Sequence, residues 1–143
     1  MDGNGRWARK RMLPRIAGHK KGLDALQVIT KSAISYNISV ITLYAFSTEN
    51  WNRPNDEIKG LMSLFSQSIT NQTSKLIKNN IRVKVLGDTS IFTKTLQSKI
   101  SSLEKKSLKN TGLRLNIALN YGSRSEIMMA VNKSYRNFKG KKI

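Results

Sequence analysis

Three short apolar runs, each set between longer amphipathic stretches, constrain what this chain can fold into. Residues 39–46 read Ser-Val-Ile-Thr-Leu-Tyr-Ala-Phe, a β-branched and aromatic run suited to a buried strand. Residues 81–86 alternate apolar with basic side chains, and Leu115, Ile117 and Leu119 share one face of the run 113–119. Between them lie stretches of helical period. One covers residues 18–37, with Leu23, Leu26, Ile29, Ala33 and Ile34 in its stripe. A second runs from Pro54 to about residue 79, with Ile58, Leu61, Met62, Phe65, Ile69 and Leu76. A third spans residues 92–109. Asp56 and Glu57 suit the first turn of the second helix. Ser123 and Glu126 read as a capping box opening a last helix to about Phe138. Strands separated by helices need parallel crossovers, so the expectation is an α/β fold: a parallel sheet with helices on both faces.

Three strands make a thin parallel sheet. The Gly- and Arg-rich opening, residues 1–17, has no strand in front of it, and the last helix leads only into a Lys-rich tail. Residues 1–143 therefore read as one partial domain, the middle of a larger one. The chain has no cysteine and one histidine, His19, which excludes disulfides, thiolate chemistry and histidine-cluster metal sites. No apolar run approaches the roughly 18 residues of a membrane span, and no signal peptide is readable, so the cytoplasm is the default compartment. The balance of 26 Lys and Arg against 8 Asp and Glu gives a net charge of +18. Such a field attracts nucleic acid, anionic lipid or phosphorylated small molecules without choosing among them.

Four segments carry candidate chemistry. In Met1-Asp2-Gly3-Asn4-Gly5-Arg6-Trp7-Ala8, two glycines let backbone N–H groups approach an oxyanion, and Arg6 supplies a fork for phosphate. Asp2 is the one acid among the first 23 residues and sits amid arginines, which suits a Mg²⁺ ligand bridging to phosphate oxygens. Arg15 and His19 lead into the first long helix and form a second anion site. Ser47-Thr48-Glu49-Asn50-Trp51-Asn52-Arg53-Pro54 lies just past a strand, where open α/β sheets bind ligands. Asn120-Tyr121-Gly122 and Asp88 also follow strands. Each has a plainer reading: a flexible basic terminus, a capping or core histidine, a loop pinned by Trp51, and a structural turn.

These blocks, together with the Leu43-Tyr-Ala-Phe run, Gly87-Asp88-Thr89 and Leu115-Asn-Ile-Ala-Leu, follow in one order along nearly the whole chain. In that arrangement the sequence resembles the cis-prenyltransferases, in particular the bacterial undecaprenyl diphosphate synthase kind. The resemblance implies Mg²⁺-dependent cis-condensation of isopentenyl diphosphate onto farnesyl diphosphate, giving the lipid carrier of cell-wall synthesis. It implies that Asp2 is the Mg²⁺-linked catalytic aspartate. Gly3, Asn4, Gly5 and Arg6 would cradle the allylic diphosphate with Arg15 and His19, while Trp7 and Trp51 line the reacting region. Ser47, Thr48 and Glu49 fall on the substrate-contact stretch, Asn50 on the residue assigned to proton removal, and Arg53 beside it. An amide is a weak base, so Asn50 orients a water or a diphosphate oxygen that takes the proton.

The growing chain needs an apolar tunnel, for which Leu61, Met62 and Phe65 are candidates as well as core. The family's leading strand, its C-terminal strands, an Arg- and Ser-containing segment for isopentenyl diphosphate, a late Mg²⁺-holding glutamate and most of its homodimer region have no match here. The expectation is that this chain alone binds farnesyl diphosphate weakly and does not elongate it. Peripheral membrane contact through the lipid product is a further implication.

Two other function classes compete. A basic nucleic-acid-binding module would use the net charge with Trp7 and Trp51 as stacking platforms, and would show steep salt dependence. A non-catalytic subunit would bind diphosphate and need a partner for turnover.

Overall fold

The computed structural model describes residues 2–138; Met1 and the Lys-rich tail lie outside the described residues. The order of elements is α1 (Asn4–Arg9), α2 (Arg15–Ser35), β1 (Val40–Ser47), a 3₁₀ turn (Thr48–Asn52), α3 (Asn55–Lys78), β2 (Arg82–Leu86), α4 (Lys94–Ser107), β3 (Arg114–Tyr121) and α5 (Ser123–Phe138). The three strands form one sheet in the order β1-β3-β2, and both pairings are parallel. The most apolar alternating strand, β3, is therefore the central one.

The register puts the apolar alternation of all three strands on one face. Ile41 and Val83 both pair with Leu115, and Leu43 and Val85 both pair with Ile117. Ala33 of α2 and Ile69 and Leu76 of α3 pack onto this face. Between Tyr44 and Phe46 the register of β1 shifts at an irregularity. The extra residue turns Phe46 inward beside Leu119, where it is buried in a second cluster with Leu61, Phe92, Leu96 and Ile100. Truncating a core leucine such as Leu103 would cost about 2–5 kcal/mol.

Helix α4 lies along the free edge of β2. Its Glu104 and Ser107 side chains accept the N–H groups of Val85 at 2.9 Å and Val83 at 3.1 Å. Those donors face away from β3, so the helix supplies what a missing neighbour strand would. The expectation of helices on both faces is thus met on one face and along one edge. The other face, with Thr42, Tyr44, Lys84 and Arg114, is exposed. Its polarity makes that exposure cheap. No helix among the described residues is long and apolar enough to cross a membrane.

Three local expectations are corrected. The opening is not a loop throughout: Asn4–Arg9 is helical, entered through Gly3 at φ 86°, and α2 begins at Arg15 rather than residue 18. The 47–53 segment is not a plain loop but a 3₁₀ turn, closed by a reciprocal capping box between Ser47 and Asn50. The Ser123–Glu126 capping box does not form. Ser123 already lies inside α5, and the Glu126 carboxylate instead accepts the Tyr121 hydroxyl.

A six-residue helix is not stable alone, so α1 needs a tertiary seat. It finds one on α2 at Gly18 and Gly22, one turn apart. A Cβ at Gly18 would collide with the Asn4 carbonyl, and one at Gly22 would lie 2.6 Å from the Asn4 amide nitrogen. Gly18→Ala is therefore expected to destabilise the protein by about 1–3 kcal/mol through overpacking, read by denaturant titration. Gly60→Ala meets only the Ile16 side chain at 3.4 Å, and should be neutral or mildly stabilising. Equal effects of the two changes would show that α1 is not seated on this glycine pair.

Candidate functional site

Four elements meet beyond the end of β1. The start of α1 brings Asp2 and Asn4, α2 brings His19, the capped turn brings Ser47 and Asn50, and the link into α3 brings Arg53. All six line one cavity of about 400 Å³. At the cavity's edge, Asp2 is exposed and held by the Gly3 N–H at 2.6 Å and Arg6 Nη2 at 2.7 Å. Arg15 reaches the same region, with its stem 3.9 Å from where a Cβ on Gly5 would stand.

The carboxylate that organises these groups is Glu57, in the first turn of α3, with only 11% of its side chain exposed. Its Oε2 accepts Arg15 Nη1 at 2.8 Å and its Oε1 accepts Arg53 Nη1 at 3.1 Å. Burial pushes the Glu57 carboxyl up, but the hydrogen bond and charge of Arg15 and the charge of Arg53 outweigh it, and the group sits below its ordinary value. His19 Nε2 is 3.6 Å from Oε1, beyond hydrogen-bond reach, and is buried without a partner. Burial, then the positive charge of Arg53, lowers the His19 pKa against the pull of Glu57. At neutral pH, His19 is a neutral ring beside two guanidiniums.

Asn50 is oriented by the cap. Its Oδ1 accepts the Ser47 N–H at 3.2 Å, so the amide nitrogen is the end left to meet a ligand. The side chain presents donors and not a basic oxygen. Glu49 is exposed, and hydrogen bonding from its own backbone and from Ser47 holds its carboxyl below the usual carboxylate range. Thr48 packs so closely on Gly122 that no Cβ would fit there.

The two tryptophans lie elsewhere. Trp51 packs edge-on against Phe46 at 5.2 Å and beside Phe92 at 6.1 Å, and its indole N–H donates to Asn120 Oδ1 at 2.8 Å. The same Asn120 donates to the Asp88 carbonyl at 2.8 Å, so one amide latches the ends of β2 and β3 to the turn. This is the pinning role that the sequence offered as the plainer reading. Trp7 lies under the Arg11 guanidinium at 4.3 Å.

Behind the polar cavity lies a second of about 450 Å³, bounded by α2, α3 and the sheet. Leu23, Leu26, Leu43, Ala45, Leu64 and Phe65 line both, so the two adjoin. Of the tunnel candidates, Phe65 lines both and Leu61 the polar one, while Met62 packs on the Phe46 cluster. Sequence reasoning missed Glu57 as a site residue. Its spacing four residues after Arg53 on a helix start was the available signal.

A family model described as "Putative undecaprenyl diphosphate synthase" matches residues 1–143, the whole chain. The chain belongs to this prenyltransferase family. An isoprenyl transferase of Chromobacterium violaceum is 50% identical over 133 residues, covering 93% of this chain and 53% of that protein. One from Neisseria gonorrhoeae is 49% identical, with 93% and 54% covered. Lavandulyl diphosphate synthase from Lavandula x intermedia, solved in complex with dimethylallyl diphosphate, superposes with a TM-score of 0.93 at 28% identity, covering 97% of this chain and 60% of that one. The chain spans about half the length of the curated relatives it matches. Prenyltransferase membership fits the arrangement: a polar cavity against an apolar one.

The titration of His19 gives a test. Its pKa is lowered in the folded state, so folding opposes protonation. Stability is full above the ordinary value of 6.5 and falls as pH drops below it. Glu57, also lowered, loses its contribution only as pH falls below 4.5. Between those two values the loss should come from His19, and His19→Gln should flatten the curve there in thermal melts. An unchanged slope in that variant would mean the ring takes its proton freely in the folded state.

Proposed function

We propose that this chain supplies the allylic-diphosphate half of a cis-prenyltransferase, holding the diphosphate at the Arg15–His19–Asn50–Arg53 mouth and the prenyl tail between α2 and α3. The observation that carries the reading is that the polar cavity, which Arg53, Asn50 and His19 line, and the apolar one share a wall. A prenyl diphosphate has that same division, an anionic head joined to a hydrocarbon tail.

The reaction joins the allylic carbon to isopentenyl diphosphate. A carbon–carbon bond forms, the carbon–oxygen bond to diphosphate breaks, and a proton is lost. Negative charge grows on the departing diphosphate, so fixed donors around it lower the barrier. Arg6, Arg15 and Arg53 give guanidinium forks, and Asn50 gives an amide N–H to a phosphate oxygen. Glu57 holds Arg15 and Arg53 in place before the ligand arrives, so less ordering is required on binding. With its oxygen engaged by Ser47, Asn50 is no base; a diphosphate oxygen or a water is the proton acceptor.

The metal implied by the family fits what is here. Among the described residues no three His, Cys, Asp or Glu side chains gather as a cage. Mg²⁺ needs none, since it keeps waters and takes phosphate oxygens beside one carboxylate. Asp2, exposed at the mouth, is the group that would hold it. When bound, the ion neutralises charge on the leaving group.

Calorimetric titration of the chain with farnesyl diphosphate and with inorganic diphosphate, each with Mg²⁺, tests the reading. Arg53→Ala should weaken both ligands by about tenfold or more, as loss of a charged hydrogen bond does. Leu26→Trp, which fills the shared wall, should weaken farnesyl diphosphate alone. Equal affinity of the folded wild type for the two ligands would remove the tail from the account.

A further inference from the structure

Three helices of this protein end in the same hydrogen-bond pattern. After α2, the N–H of Ile38 reaches the Ala33 carbonyl and that of Asn37 reaches Ile34; after α3, Ile81 reaches Leu76 and Asn80 reaches Ile77. After α1, Leu13 reaches Ala8 and Met12 reaches Arg9. This is the Schellman motif, whose pivot residue is left-handed and is usually Gly or Asn. Asn37 and Asn80 fill it at φ 55° and 54°. Met12 fills it at φ 55°, the one such residue among the described ones that is neither glycine nor asparagine.

Nothing among the described residues repays that choice. Met12 is 97% exposed, so an apolar residue stands in water at a backbone conformation that disfavours it. Arg9, Lys10 and Arg11 precede it and are all exposed, and Leu13 after it is 43% exposed. Arg11 is folded back over the Trp7 ring. An apolar tip behind a row of cations matches the edge of an anionic bilayer, with phosphate outside and hydrocarbon beneath. The exposed apolar residues of α5 carry no such ring of charge before a strained tip.

We propose that the turn after α1 is a membrane-contact tip: Met12 enters the interface of an anionic lipid surface while Arg9 and Lys10 meet the headgroups. This goes beyond the prenyl-transfer reading and does not depend on it. Met12 takes no part in the proposed diphosphate site.

The test uses vesicles of phosphatidylcholine with and without phosphatidylglycerol. Met12→Gly keeps the left-handed turn and removes only the side chain. It should melt at the same temperature or higher, yet bind the anionic vesicles roughly tenfold more weakly, the scale of one lost apolar side chain. Because the chain has no cysteine, Met12→Cys can carry a single environment-sensitive fluorophore. Its emission should shift to the blue on anionic vesicles, and the same label at exposed Ser102→Cys should not. Unchanged binding by Met12→Gly would show that charge alone attracts the protein, and would overturn the proposal. So would an unshifted label at position 12. An equal loss of affinity for a single-stranded oligonucleotide in Met12→Gly would assign the turn to nucleic acid instead.

Discussion

The site depends on the Glu57 carboxylate, which sits almost out of water between two guanidiniums from different parts of the chain. Arg15 opens α2, Arg53 closes the capped turn after β1, and Glu57 belongs to α3. Without a shared counter-ion, the two guanidiniums would repel each other. With it, three elements are fixed around one point, and the neutral ring of His19 is held beside them. The ion pairs are partly exposed on the arginine side, so their worth to stability is modest. Their weight lies in placing donors toward one cavity, where geometry counts for more than net binding energy.

What the cavity can hold follows from how the sheet is built. Because Ile41, Leu43, Leu115 and Ile117 share one face, the space under α2 and α3 is hydrocarbon-lined. Because β1 ends in a register shift and a capped turn, Ser47 and Asn50 are turned to the mouth of that space and Phe46 is turned away from it. The polar and apolar halves of the site are thus consecutive along one strand and its exit.

The strands were legible in the sequence because each alternates or is β-branched. Helices α3 and α4 were legible for the matching reason. Helix α1 was not, since Gly3 and Gly5 argue locally for a loop and the seat that stabilises it lies more than ten residues on, at Gly18 and Gly22. The Ser123–Glu126 pattern misled because Tyr121, just before it, takes the glutamate for itself. Asp2, Asn4, His19, Ser47, Asn50 and Arg53 could be singled out from the sequence, and the fold gathers them at one cavity. Glu57 was read as a favourable acid at a helix start, which is true. Its second role rests on Arg15, 42 residues away, and no local pattern carries that. Trp51 was ambiguous in sequence, and its indole bond to Asn120 across 69 residues is what ties it to the core.

The most direct measurement is a crystal structure of this chain with a non-hydrolysable farnesyl thiodiphosphate and Mg²⁺. The account predicts phosphate oxygens at Arg53 and Asn50, and the hydrocarbon lying between α2 and α3 against Leu26 and Phe65. A ligand whose tail lay outside that cavity, or whose diphosphate left the Arg15–Glu57–Arg53 cluster untouched, would contradict it.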